Sequence, residues 1–164
     1  VAPTPQKMLE LGLDGLKEYI KVISFFNNKA KNIIALAQKL SDENITDTFS
    51  EKYHNRDELM KLPGIGQKTA NVVCNVLWNA PQIGVDTHVF RVANRLGLTI
   101  KAKNPHESEM ILRKHIPEHL LSKAHHWLLL HGRYTCTARN PHCPQCDLYP
   151  FCKHPVCQNK RQDN

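Results

Sequence analysis

"LPGIGQKTANVV", residues 62–73, sets two glycines one residue apart and follows them with a lysine where a helix begins. Glycine is costly inside regular structure and useful where the backbone takes unusual angles or comes close to a ligand. A lysine in the first turn of a helix sits at the unfavourable end of the macrodipole. Leu59, Leu62, Ile65 and Val72 are apolar anchors around the turn Pro63-Gly64-Ile65-Gly66, so the stretch predicts two helices joined as an αα-hairpin. The glycines let backbone N–H groups face outward at the start of the second helix, which makes an anion site open to a phosphate. Gly64, Ile65, Gly66, Lys68 and Thr69 are the candidate contacts. A bare G-x-G is more often a plain turn between packed helices. Here the flanking Leu-Pro, the following Lys-Thr-Ala and the basic chain favour the phosphate-binding reading.

Working outward, the periodicity is helical almost throughout. Thr4-Pro5 is a cap followed by a first-position proline, opening a short helix through Met8-Leu9. "DGLKEYIKVISFF" (14–26) and "NKAKNIIALAQKLSD" (28–42) both space apolar residues as helices do. Asn55 through Leu62 form the first arm of the hairpin. The second arm, 68–78, carries Lys68, Asn71, Asn75 and Asn79 on one side and Val72, Val73, Val76 and Leu77 on the other. Asp86 is placed to cap "THVFRVANRLG" (87–97), which Gly97 stops. Asn104-Pro105-His106-Glu107 resembles a capping box, and Pro117 closes that segment. "LLSKAHHWLLLHGRY" (120–134) is the last long helix. With no alternating strand pattern and no repeat, the fold class is all-α, ending in an irregular cysteine-bearing loop.

At 164 residues with 41% hydrophobic content, the chain fits one domain or two small ones. No apolar run approaches a bilayer span, and "VAPTPQKMLE" has no charged leader followed by an apolar stretch, so neither a membrane segment nor a signal peptide is expected. A net charge of +7 and a sequence pI near 9.2 favour a polyanionic partner, weakly when taken alone.

Of six cysteines, Cys74 stands alone and the other five crowd into the last 29 residues. That clustering points to metal rather than disulfides. Cys136, Cys143, Cys146 and Cys152 have the spacing C-x6-C-x2-C-x5-C, which suits either Zn²⁺ or an iron–sulfur cluster. Cys157 falls outside the pattern as a spare thiol, and Cys74 is expected in the core. His125, His126 and His131 share a helix without the i, i+4 spacing of a helical metal pair, so packing or DNA-facing roles are expected of them. Arg91 and Arg95 lie one turn apart, and the sequence does not choose between ion pairs and backbone contacts for them.

Lys68 and Asp86 carry the candidate chemistry. A lysine is a nucleophile only when neutral, a form favoured by the positive end of the helix dipole and by partial burial. Attack of its amine on a sugar C1′ would displace the base and leave a Schiff base, splitting one hard step into easier ones. Asp86 caps a helix and also offers a carboxylate to developing positive charge. Their 18-residue separation fits a helix and a return loop.

On these residues the chain resembles the endonuclease III family. "LPGIGQKTANVV", "VDTHVFRVANRLG" and "HHWLLLHGRYTC" all match its signatures, and the similarity covers nearly the whole chain. The resemblance implies a helix-hairpin-helix DNA glycosylase fold with a C-terminal iron–sulfur loop. It divides the chain into a helical domain over 1–85, part of a six-helix barrel with the hairpin at about 55–78, and a C-terminal domain over 86–164 with its loop at 136–152. It implies Lys68 as nucleophile, Asp86 as its assistant, and His88 and Arg139 as further DNA contacts. It selects a [4Fe–4S] cluster on Cys136, Cys143, Cys146 and Cys152. The implied activity is removal of oxidised or ring-damaged pyrimidines from duplex DNA, with β-elimination at the abasic site, by a monomer in the bacterial cytoplasm. Adenine-specific mismatch relatives lack the lysine and generally only remove the base. The family's N-terminal helices, which supply a glutamine wedge, have no counterpart ahead of "TPQKMLELG". The alternative to catalysis is therefore a DNA-binding module that keeps the hairpin and the cluster.

Overall fold

Short local signals start and stop the helices. In a computed structural model, which describes residues 1–45 and 51–155, the first of them is α1 (Pro5–Ile20). Thr4 caps it by accepting the Lys7 N–H at 3.2 Å, and Gly12 breaks it with a φ of 71°, so the two expected segments form one interrupted element. Its end differs from the sequence expectation. The helix stops at Ile20, and Phe25 takes a left-handed conformation before α2 (Phe26–Asp42). Val22, Ile23 and Phe25 are therefore exposed turn residues, although their apolar spacing continues that of the helix.

The chain divides into two compact units between Ala70 and Asn71. In the first, α1 packs on α2, with Leu16, Ala30, Ala37, Tyr53, Leu59 and Leu62 buried. The Tyr53 hydroxyl donates to the Glu43 carboxylate, which holds that acid down at about 2 and pushes the phenol up to about 12, burial being the larger cause for the phenol. Asn55 caps α3 (Arg56–Met60) by accepting the Glu58 N–H at 2.9 Å. α4 (Gln67–Trp78) starts in this unit and runs on into the next.

The second unit is built on α5 (Thr87–Leu96), α6 (Pro105–His115) and α7 (Leu121–Tyr134). Its core is formed by Ile83, Val85, Val89, Val92, Ala93, Leu112, Leu121, Ala124 and Leu128. The apolar positions of α5 recur at helical spacing and place one face of that helix inward. Asn104 caps α6 by accepting the Glu107 N–H, while Glu107 reaches back to the Lys103 N–H at 2.8 Å, one residue earlier than an ordinary capping box. At Gly132 α7 comes close to α5, and a Cβ there would lie 2.9 Å from Val92 Cγ2. Trp127, Leu130 and Tyr134 stay exposed on α7. No helix among the described residues is long and apolar enough to cross a membrane.

Candidate active site

The hairpin turn owes its shape to one glycine and its openness to the other. Ile65 N–H donates to the Leu62 carbonyl at 3.2 Å, and Ala70 N–H donates to the Gly66 carbonyl at 2.9 Å, so the chain turns directly into α4. Gly64 has a φ of +75°, and a Cβ there would lie 2.6 Å from Asn32 Cβ. Its side chain is absent for backbone conformation and for packing within the first unit. At Gly66 φ is ordinary and nothing lies within 4 Å of where a Cβ would point. No neighbour among the described residues requires a glycine at 66, which directly precedes the first turn of α4. Lys68 and Thr69 are exposed on that turn, so the partial burial expected of Lys68 is not found.

In the second unit Asp86 is the N-cap of α5. Its Oδ1 accepts the His88 N–H at 2.9 Å and the Val89 N–H at 2.8 Å. Such a cap is worth about 0.5–2 kcal/mol. Oδ2 takes no part in those two bonds and stands 3.8 Å from His88 Nδ1. One carboxylate oxygen therefore fixes the helix and the other faces the His88 ring. Both residues are half-buried.

The faces of α4 depart from the usual arrangement. Asn71 is 0% exposed, while Val76 on the apolar side is 65% exposed. The asparagine side points inward because irregular backbone lies there: Asn71 Nδ2 donates to the Ile83 carbonyl, and Asn75 Nδ2 donates to those of Ala80 and Gln82. His125 is buried against the same loop, with Nδ1 2.7 Å from the Gly84 carbonyl. It packs, as its spacing implied, and Cys74 is buried as expected.

Beyond α7, Cys136, Cys143, Cys146 and Cys152 line one cavity together with Leu96, His131 and Tyr149. Burial pushes the Cys146 thiol up, a backbone hydrogen bond at Leu148 opposes this, and the neighbouring Cys136, Cys152 and Cys143 add to the upward push. Four thiols this close disfavour one another's thiolates, and a bound cationic centre reverses that balance. No three His, Cys, Asp or Glu side chains among the described residues converge as a single ion requires. Cys157 lies outside the described residues.

Sequence reasoning left Arg91 and Arg95 undecided, and both grip this loop from α5. Arg91 donates to the Cys136 carbonyl at 3.2 Å and the Gly132 carbonyl at 2.7 Å. Arg95 donates to the carbonyls of Thr137 at 2.7 Å and Ala138 at 2.9 Å, and its Nη1 lies 3.3 Å from Cys136 Sγ. These contacts hold the backbone immediately before Arg139, which is exposed. Their partners lie more than 40 residues away, beyond the reach of any local pattern.

Comparison with known proteins shows the family and the fold. The HhH-GPD superfamily of base excision DNA repair proteins matches residues 1–118. Endonuclease III of Rickettsia felis is 52% identical over 151 residues, spanning 92% of this chain and 68% of that protein. A trapped endonuclease III–DNA covalent intermediate superposes with a TM-score of 0.84 at 40% identity, covering 96% of this chain and 71% of that one. A non-covalent endonuclease III–DNA complex gives 0.83 at the same identity, covering 98% and 72%.

The two hairpin glycines separate fold from ligand contact. Gly66→Ala is expected to leave thermal stability within about 0.5 kcal/mol while weakening duplex DNA binding regardless of sequence. Gly64→Ala is expected to lower stability by about 1–3 kcal/mol. Unfolding curves and fluorescence-anisotropy titrations check both, and unchanged binding by Gly66→Ala would refute a backbone–phosphate contact there.

Proposed function

Because the chain belongs to the endonuclease III family of HhH-GPD base excision DNA repair proteins, a DNA glycosylase and abasic-site lyase, we propose that Lys68 and Asp86 carry its reaction on oxidised or ring-damaged pyrimidines in duplex DNA. The observation that supports this most directly is a lysine exposed on the first turn of α4, immediately after the Gly64-Ile65-Gly66 turn. A helix N-terminus with outward amides attracts phosphate, and the lysine follows within one turn of it.

The damaged nucleotide leaves the base stack, at lower cost where a lesion already weakens stacking. The neutral Nζ of Lys68 attacks C1′, the bond from C1′ to the base nitrogen breaks, and the base departs with its electron pair and takes up a proton. Loss of a proton from the new C–N link and opening of the sugar ring give a Schiff base. Removal of a C2′ proton then expels the 3′ phosphate, which nicks the strand, and water releases the sugar remnant and the free amine. Asp86, with Oδ1 held by two backbone amides, offers Oδ2 to the positive charge on the sugar and to the proton that the amine sheds. Gly66, Ile65 and Thr69 hold the backbone on one side. His88, beside Asp86, and Arg139, just past the carbonyls that Arg95 holds, add polar and basic contacts. The protein acts as a monomer.

Cys136, Cys143, Cys146 and Cys152 hold a [4Fe–4S] cluster in this reading. Four thiols around one cavity are a donor set for such a cluster, and the family resemblance favours it over a lone zinc ion. Bound by these four cysteines, the group would cross-link a loop with little core of its own, the loop that carries Arg139.

Lys68→Ala is expected to abolish both base release and nicking on duplex carrying an oxidised pyrimidine, while DNA affinity stays within a few-fold. Retained nicking would refute the nucleophile, and intact DNA binding by a wild-type chain that nicks nothing would favour a binding module. For the loop, the purified protein is expected to be brown with about four irons per chain, and Cys143→Ser to lose both colour and iron. A colourless protein carrying one zinc would contradict the cluster.

A further inference from the structure

The connection from α4 to α5, residues 79–86, contains no helix or strand, yet its second half is buried: Ile83 is 0% and Val85 5% exposed. Buried irregular backbone has no ladder to satisfy its carbonyls, so other groups must. Here three side chains do so at four positions. Asn75 Nδ2 donates to the carbonyls of Ala80 and Gln82, both at 3.1 Å, and Asn71 Nδ2 donates to that of Ile83 at 3.2 Å. His125 Nδ1 meets the Gly84 carbonyl at 2.7 Å, and because a carbonyl only accepts, Nδ1 carries the proton. Two of these side chains come from α4 and one from α7. The loop is also pinched at Gly84, where a Cβ would lie 2.7 Å from Val72 Cγ2 and 3.4 Å from His125. Two residues on, the chain reaches Asp86.

Asn71 is wholly buried, and its Oδ1 has no hydrogen-bond partner. An apolar residue there would remove that unpaired oxygen but orphan the Ile83 carbonyl, so the pairing serves stability as well as position. The asparagines and the histidine provide position because each fixes the backbone of one or two loop residues in direction as well as distance.

We propose that Asn71, Asn75 and His125 are positioning residues for the reaction, clamping the carbonyls of residues 80–84 so that the Asp86 carboxylate is held with Oδ1 on the α5 amides and Oδ2 turned outward to the sugar. The proposal rests on the assignment of Asp86 to the chemistry. In this role the three side chains act on the reaction through the loop.

The test is single-turnover nicking of a duplex with a preformed abasic site, at saturating enzyme, alongside DNA affinity and circular dichroism. His125→Leu removes the donor. His125→Asn keeps one, since its amide nitrogen reaches close to where Nδ1 lies. His125→Leu is expected to slow nicking by about 10- to 100-fold with affinity within two-fold of wild type, and His125→Asn to recover most of the rate. In an Asp86→Asn background His125→Leu is expected to add little further loss, because both changes act on one group. The proposal is overturned by a His125→Leu rate equal to wild type, by a folded His125→Asn as slow as His125→Leu, by a loss that appears in affinity, or by additive losses in the double variant. If His125→Leu does not fold, Asn75→Ser takes its place with the same expected rate loss and the same double variant with Asp86→Asn. The wild-type and Asp86→Asn rates separate the two levels: an inactive wild type, or a fully active Asp86→Asn, removes the functional reading itself, whereas a slow Asp86→Asn beside an unaffected His125→Leu removes only the positioning role.

Discussion

The capping of α5 by Asp86 is the constraint on which the second unit depends. One oxygen of that carboxylate closes two backbone amides that would otherwise be left unpaired at the helix start. From there α5 runs as a rod with three duties on its surface. Val89, Val92 and Ala93 turn into the core. Arg91 and Arg95, farther along, hold the cysteine loop by its carbonyls. The N-terminus itself presents the second carboxylate oxygen. Moving Asp86 therefore disturbs the helix register, and moving the helix disturbs the loop that carries Arg139.

Polar side chains in the second unit serve mainly to tie irregular backbone to helices. Asn71, Asn75 and His125 do this for the loop before Asp86, and the two arginines do it for the loop after α7. In each case a helix supplies rigidity that the loop lacks, and the hydrogen bond transmits direction as well as distance. Functional groups carried on loops gain the precision of helices by this route. The first unit uses a different device at the hairpin. There the missing side chain at Gly64 permits the turn and its packing on Asn32, while the one missing at Gly66 leaves the start of α4 uncovered.

Much of this was legible in the sequence because its signals are local. The Thr4, Asp86 and Asn104 caps, the Gly97 stop and the hairpin turn each depend on residues within a few positions of one another, and the four cysteines fall within 17 consecutive residues. What stayed hidden depends on distant partners. The two faces of α4 are plain in the sequence, but their orientation is not, because the choice was made by carbonyls of a loop up to twelve residues on and by a histidine on α7. Arg91 and Arg95 find their partners more than 40 residues away. Val22, Ile23 and Phe25 continue an apolar spacing past the end of α1, and the left-handed Phe25 turns that run into exposed loop. Lys68 is exposed where a nucleophile was expected to be partly covered, since the sequence carries no signal for what surrounds the first turn of α4.

The central claim is that the amine on the first turn of α4 bonds to the sugar, and mapping the covalent adduct tests it most directly. The chain is incubated with abasic-site duplex under borohydride, digested, and the modified peptide sequenced by mass spectrometry. The account predicts a reduced sugar adduct on Nζ of Lys68 and on no other amine. An adduct on Lys61 or any other lysine, or none at all from folded protein that binds the duplex, would contradict it.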